Sequence, residues 1–594
     1  MKKLRSLLEH RFFPMGGIAA ASLLMVGSLN NGWLLDDHVQ RLMLSGSDAL
    51  PWVKAASWDA YRLIPSDDSF VNAVQEMGFS PWWGSDNYQA TFFRPLSSLT
   101  LYLDYVLWPD SALMAHLHSM IWFVMMCAVA FVLFQRLLPS RASAALAAGL
   151  YILDDAHIFP ATWVANRNAL IAATFAFLAL LFHIQRQQEG WRPGVWLAPL
   201  TFATALLCGE FALSISGFLF AHVLFLETGN RRQKAVRLLP YGIIVVVWRG
   251  AYTAMGYGVW GSDLYIDPLH NPGEFLHAVL TRLPILLNSG FGWPGAEGSI
   301  ILPQYLWVLT LFSVGALGVY FWVLRPLVKN SASARFFMVG TVISLIPACA
   351  TFAHDRLLII AGIGIFGVIA LFIEPLLFST APVPASISVP TSVLSKRRVQ
   401  GFGVYWLVIH GAISPLSTPI KAEVPQFLGK MSDAATLSLP DSVGEQTVVV
   451  VAAPDMFSSA FIPLWRHALG KSIPAHTVAL YNGNAEMTLI RETEQSLIFE
   501  VPDGQLGVWT DQLVRRADDL FAVGDAVVRA GVRFQVLNVN RDGNPTRIRA
   551  TFSKSLNDPS ISCWQWAGRE YLPVSVPDRG DQIKISVNVF DFLR

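Results

Sequence analysis

Two adjacent carboxylates, Asp36 and Asp37, close the run Asn31-Gly32-Trp33-Leu34-Leu35, just beyond the first apolar segment of the chain. An acid held rigidly at the end of a membrane helix can accept a proton from an incoming hydroxyl, which is the work of a general base. Ionisable groups placed where hydrocarbon meets water are costly and usually mark function. The plainer reading is a pair of aspartates in a solvated loop, helping to cap a following helix. Other clusters weigh against it. Phe92-Phe93-Arg94-Pro95-Leu96 closes the same loop, and Arg94 offers a planar fork that suits phosphate oxygens, although an interfacial arginine can also snorkel to headgroups. Asp154-Asp155-Ala156-His157, followed by Asn166-Arg167-Asn168, gathers acid, imidazole and guanidinium between two apolar runs. A local salt bridge would use the same side chains. His354-Asp355-Arg356 also lies between apolar runs, where a phosphate, or Asp355 alone, would satisfy His354 and Arg356. Glu210 breaks another apolar stretch. It reads as a residue at the same depth or as a simple turn.

The elements that must position these groups are membrane spans. Of 594 residues, 53% are hydrophobic and 14% charged, and 43 basic residues face 42 acidic ones. That balance excludes a nucleic-acid binder and fits a polytopic α-helical membrane protein. A span needs about 20 mostly apolar residues. Such stretches run from Pro14 to Leu29 and centre on 113–135, 142–154, 166–184, 195–209, 211–226, 236–256, 304–325, 335–352, 356–378 and 401–415, giving about eleven spans. The basic head Met1-Lys2-Lys3-Leu4-Arg5 would also suit a signal peptide, but no A-x-A-like site follows, so an uncleaved anchor is expected.

Threaded from a cytoplasmic start, the chain puts Arg136/Arg141, Arg186/Arg192, Arg231/Arg232/Lys234/Arg237, Arg325/Lys329/Arg335 and Lys396/Arg397/Arg398 on the cytoplasmic side. The opposite, periplasmic side receives the loop 30–112, the turns holding Asp154 and Glu210, the loop 257–303 and His354-Asp355-Arg356. An even number of spans would send the tail to the cytoplasm instead. The domain layout expected is a membrane domain over 1–425, a Pro-rich cytoplasmic linker over 379–400 before the last span, and a periplasmic β-rich domain over 430–594. In the tail, strands are expected at Thr447–Ala452, Thr477–Tyr481, Gln495–Val501, Val532–Val539 and Gln582–Val589, with helices at Ser458–Leu469 and Thr510–Phe521. Trp465, Trp509, Trp564 and Trp566 suit sugar stacking or a core equally well.

Other chemistries find little support. His116-x-His118 lacks a third ligand at a familiar spacing, so no metal site is assigned, although a divalent cation on Asp36, Asp37 or Asp154 remains open. Gly362-x-Gly364-x-x-Gly367 spells a dinucleotide fingerprint but lies inside a span, where it reads as helix packing. The four cysteines form no evident pair, and no P-loop or G-x-S-x-G elbow occurs.

Asp36-Asp37, then Phe93-Arg94-Pro95-Leu96-Ser97-Ser98-Leu99, then Trp163-Val164-Ala165-Asn166-Arg167-Asn168-Ala169-Leu170 resemble the GT-C superfamily of integral-membrane glycosyltransferases, in order and over roughly residues 15–378. The likeness is greatest to its protein O-mannosyltransferase-like and tetratricopeptide-associated members. Gly209-Glu210 stands where those proteins often have Lys-Glu, and His354-Asp355-Arg356-Leu357-Leu358 where they often have an E-R-Y-L-Y-like block. Departures are Gly209 for lysine, Leu357 for tyrosine, and a β-rich tail without tetratricopeptide helices. The resemblance implies transfer of a sugar from a polyprenyl-phosphate carrier to a hydroxyl of a glycan, lipid or protein acceptor, at the periplasmic face of a bacterial inner membrane. It implies no required cofactor and no nucleic-acid partner. Asp36 or Asp37 would be the base; Arg94, Arg167, His354 and Arg356 would hold the donor phosphate, with Asp154, Asp155, His157 and Glu210 in support. Two other classes stay open: a transporter or flippase of lipid-linked sugars, and a non-catalytic factor for envelope-glycan assembly.

Overall fold

The computed structural model describes residues 2–378 and 396–587. Most of the linker expected at 379–400 lies outside them, as do the last two residues of the strand expected at Gln582–Val589. The apolar runs form helices throughout, with their backbone groups paired internally as a lipid environment demands. The protein is a multi-pass membrane protein with a soluble β-sheet domain at its C-terminal end.

Burial sorts the long helices into inner and outer ones. The apolar windows of Val164–Glu189 and Asp355–Phe378 are 78% and 89% buried, whereas those of Arg231–Ala254 and Pro303–Asn330 are 11% and 17% buried. The first two therefore form the centre of the bundle, and the others turn Val246, Val247, Leu311 and Phe312 outward. Between them, the shorter helices Arg141–Ile152, Gly194–Cys208, Ile215–Phe225 and Ala332–Ala348 complete the packing. The glycines of the apparent dinucleotide fingerprint are packing residues. A Cβ on Gly364 would stand 2.5 Å from the Phe337 carbonyl oxygen, and one on Gly367 would meet the Phe337 ring at 2.6 Å. Close helix approach is thus what those positions provide.

In the membrane domain, two elements differ from the sequence expectation. The loop 257–303 contains a 20-residue helix, Pro272–Phe291. Its first turn reaches the tail through Glu274 and Arg516, its middle donates from Arg282 to the carbonyls of Cys349 and Asp263, and Ser289 near its end bonds Asp355. Leu276 and Leu280 are exposed along its first half, whereas Ile285, Leu286 and Phe291 are buried in the core of the bundle and the Phe291 carbonyl accepts from the Trp406 indole at 2.8 Å. It is a helix that packs into the bundle at its C-terminal end, and Glu274, His277 and Arg282 hide it from a search for 20-residue apolar runs. The last span, expected at 401–415, belongs to helical chain from Lys396 to Ser438, with a π-turn at Ile409–Ile413 ahead of Pro415, Pro419 and Pro425. The boundary expected near residue 425 thus falls inside a helix.

The tail holds two sheets. The four-stranded one has Thr447–Ala453 at its centre, parallel to His476–Asn482 on one side and Ile561–Trp566 on the other, with Tyr571–Pro573 antiparallel at the edge. The six-stranded one is antiparallel, built from Gln582–Ile585, Met487–Arg491, Ser496–Glu500, Pro545–Thr551, Val532–Val539 and Ala526–Arg529 in that spatial order. A helix expected at Ser458–Leu469 appears as Met456–Ser459 and Ile462–Ala468. The helix expected at Thr510–Phe521 does not form; a 3-10 turn, Trp509–Leu513, stands there, and the chain after it follows the partners of Arg515 and Arg516.

The first loop and the tail share one core. Trp82 and Trp83 from the loop are fully buried within the tail's hydrophobic cluster. Trp82 stacks on Phe534 at 5.3 Å, and its indole N–H donates to the Leu480 carbonyl at 3.0 Å. Trp83 donates to Asp511 at 3.0 Å. Buried indoles find hydrogen-bond partners in this way, and each ring adds a large apolar surface.

Candidate active site

Asp36 is the first residue of the helix Asp36–Ser45, which starts abruptly after Leu35. Leu35 has φ of 42°, a left-handed conformation rare for a branched side chain and worth about 1–3 kcal/mol of strain. The turn is held by Asp37, whose carboxylate accepts N–H bonds from Leu34 at 3.0 Å and from Ala165 at 2.7 Å. With both oxygens so engaged and the residue fully buried, Asp37 is a bracket between the first loop and the segment before Arg167. The structure thereby separates the two acids the sequence left equivalent. Asp36 has no such backbone bonds. Burial pushes its carboxyl up to about 6, with the nearby Arg356 guanidinium pulling it the other way.

Arg94 caps the entry to the helix Pro95–Leu107. Its Nε donates to Glu210 at 2.7 Å, and its guanidinium lies 4.9 Å from the Tyr61 ring centre and 4.5 Å from that of Phe92. Two aromatic faces and one carboxylate fix the plane of the fork. The second Glu210 oxygen is buried and has no hydrogen-bond partner among the described residues. Arg356 stands over Phe352, 5.1 Å from its ring centre, within electrostatic reach of Asp36, Arg94 and Tyr265. No carboxylate forms an ion pair with Arg356 among the described residues. Asp36, Arg94, Glu210 and Arg356 therefore belong to one neighbourhood, in which, among the described residues, Asp36 accepts no backbone N–H and Arg356 bonds Tyr265 but no carboxylate.

The other expected phosphate holders have different positions. Arg167 is fully buried and bonds Asp104 at 2.6 Å, Ser119 at 2.9 Å and the Ala115 carbonyl at 2.7 Å. Its donors are spent on tying Pro95–Leu107 and Ala112–Leu137 to Asn168–Glu189, so it frames the site without facing it. His354 accepts the Arg356 backbone N–H on Nδ1 at 3.2 Å and lies 3.3 Å from Glu297. Burial and the Arg356 charge push it down to about 3, which keeps the ring neutral. It shapes the turn that presents Arg356.

The supporting acids form a second group that fastens the last helix. Asp154 pairs with His410 at 3.1 Å, and Asp155 pairs with Lys421 while its backbone N–H donates to Ser414 at 2.8 Å. Asp355 accepts from Ser289 and, at 2.9 Å, from the Ala296 N–H. His157 turns inward, with its Nε2 at 2.7 Å from the Tyr151 carbonyl. These contacts draw Ser414–Ser438 and the end of Pro272–Phe291 against the segment carrying Arg356. Sequence reasoning missed Asp104, Glu297 and Lys421. Asp104 had a readable signal, a lone acid inside Leu-Thr-Leu-Tyr-Leu-Asp-Tyr-Val-Leu. Lys421 lay beyond the expected end of the last span and offered none.

No family model and no curated protein matches the chain. Among solved structures it is similar to ArnT from Cupriavidus metallidurans, in a crystal structure bound to undecaprenyl phosphate, with 13% identity and a TM-score of 0.37 over 78% of this chain and 85% of that one. It is also similar to the archaeal oligosaccharyltransferase AglB from Archaeoglobus fulgidus, in complex with an inhibitory peptide and a dolichol-phosphate. There the identity is 14% and the TM-score 0.39, over 79% of this chain and 65% of that one. The chain spans less than two thirds of the archaeal enzyme. At these values the functional reading rests on the site itself.

Proposed function

We propose that the protein is a membrane glycosyltransferase that moves a sugar from a polyprenyl-phosphate donor to an acceptor hydroxyl. The observation that carries this reading is the pairing of Asp36, an acid at a helix start that accepts no backbone N–H, with Arg356, a guanidinium without a carboxylate partner among the described residues, beside Arg94. Asp36 takes the acceptor proton as the hydroxyl oxygen attacks the anomeric carbon. The bond from that carbon to the phosphate oxygen breaks, and the departing phosphate gains a negative charge. Arg356 and Arg94 lie where fixed positive charge stabilises it. A donor anchored in the bilayer meets its acceptor in a fixed orientation, and such positioning alone contributes up to about 7–11 kcal/mol in model reactions.

The donor class is argued from these arginines and from the resemblance carried by Asp36-Asp37, the Arg94-Pro95-Leu96 block and the stretch around Arg167. The ArnT and AglB structures hold carriers of that same chemical class. We place the site and the tail on the periplasmic face of a bacterial inner membrane, because the basic loops gather at the other ends of the helices. A membrane transporter would carry ionisable groups lining a path open to each side in turn; Asp36, Arg94, Glu210 and Arg356 gather instead at one end of the helices.

The test is transfer by the purified full chain in lipid vesicles supplied with polyprenyl-phosphate sugars and candidate acceptors. Wild-type protein should release polyprenyl phosphate, and Asp36→Asn should not. Release that is equal in the two proteins overturns the assignment of the base. Sugar-lipid movement across the bilayer without release would establish a flippase instead.

A further inference from the structure

At the opposite end of the central helix, His183, His222 and Glu227 converge from three elements. His183 lies fifteen positions after Asn168 in the helix Asn168–Glu189, which puts it about 22 Å along the axis from the candidate active site. His222 belongs to Ile215–Phe225, and Glu227 follows in the short turn before Arg231–Ala254. His183 Nε2 is 2.8 Å, and His222 Nδ1 2.9 Å, from the same oxygen of Glu227. One ligand-competent atom from each of the three residues falls within 4.8 Å of the others. The three side chains are only 3%, 1% and 3% exposed. We propose that this cluster is a binding site for a divalent transition-metal ion, zinc in the first instance.

Two imidazoles and one carboxylate, with a fourth position left for solvent, are a donor set that suits zinc. Neighbouring groups orient two of the three ligands from behind, as metal sites require. The Tyr241 hydroxyl lies 3.0 Å from His183 Nδ1, and Arg237 bonds the outer Glu227 oxygen at 2.6 Å. With the ion bound, His183 carries its proton on Nδ1 and gives it to Tyr241. Among the described residues, the buried His222 Nε2 has no hydrogen-bond partner, and none of them behind the ring fixes its proton on the nitrogen that faces Glu227. Moving one proton across each ring frees both lone pairs, with no net change of charge on the protein. The competing arrangement is a purely hydrogen-bonded clamp, in which both rings donate to Glu227. The ion would add a further tie between the ends of three helices already joined by the His183–Tyr241 bond and by Lys234 donating to the Leu224 carbonyl at 2.8 Å.

The experiment is metal analysis of the full chain purified in detergent without chelators, then titration of metal-depleted protein with Co2+. We expect close to one zinc per chain, and a visible ligand-field band from four-coordinate cobalt that saturates at one equivalent and is displaced by Zn2+. His222→Gln and His183→Gln should each lose the band. Zinc far below one per chain together with no cobalt band in the wild-type protein overturns the site. So does a band of full strength in both variants. The wild-type titration decides the matter even if a variant fails to fold, and no readout depends on sugar transfer.

Discussion

Asp36 and Asp37 differ by one position in sequence and by everything in environment. Asp37 spends both oxygens on backbone N–H groups, so Asp37→Asn should lower thermal stability, whereas Asp36→Asn should leave melting near wild type and reduce turnover by about 100- to 10,000-fold. The pH dependence follows from burial, which pushes Asp36 up to about 6. A base acts only when ionised, so activity should be lost as pH falls through about 6 and level off above it. A profile flat from pH 5 to 8, measured as initial rates at saturating donor, would contradict that role. The arginines divide in the same way. Arg356→Gln should weaken donor use with little change in melting, because no carboxylate is ion-paired to it among the described residues, and should move the Asp36 pH profile upward, because its charge favours the ionised acid. Arg167→Gln should instead cost about 3–5 kcal/mol of stability by removing the guanidinium partner of buried Asp104, which keeps only His118. The separation was not legible in the sequence, because the partner that commits Asp37, the Ala165 backbone, stands 128 residues away.

At the scale of elements, hydropathy located the apolar helices, five of them long and apolar enough to cross a membrane among the described residues, because each must satisfy its own backbone, a local requirement that leaves a local trace. The helix Pro272–Phe291 and the continuation of the last helix to Ser438 left no such trace. One has its apolar run broken by Glu274, His277 and Arg282, and the other continues through prolines that normally end helices. Strand positions such as Val532–Val539 were readable from β-branched alternation. The Thr510–Phe521 segment was not, since its arginines are held by Glu274, Asp518 and Asp519 rather than by helical neighbours. Packing at Gly364 also belongs here. Gly364→Ala should destabilise the bundle by about 1–3 kcal/mol, seen as a lower melting temperature in detergent, because the added carbon meets Phe337 and Thr341.

For the molecule as a whole, loop 30–112 and the tail form one outer body through Trp82 and Trp83. Trp82→Ala should cost about 3–5 kcal/mol and make the tail sensitive to protease while the membrane helices stay protected. Protection of the two parts lost together would show that they unfold as one unit. The β-rich character of the tail was visible in its composition; its dependence on a loop some 400 residues earlier was not, because tryptophans in a loop look the same whether they meet water or a distant core. That dependence has a consequence for biogenesis. The ribosome delivers Trp82 and Trp83 early and the strands that enclose them last. During synthesis the two indoles lack their enclosing strands until most of the polypeptide has emerged, so a chain terminated before those strands should expose this loop to proteases.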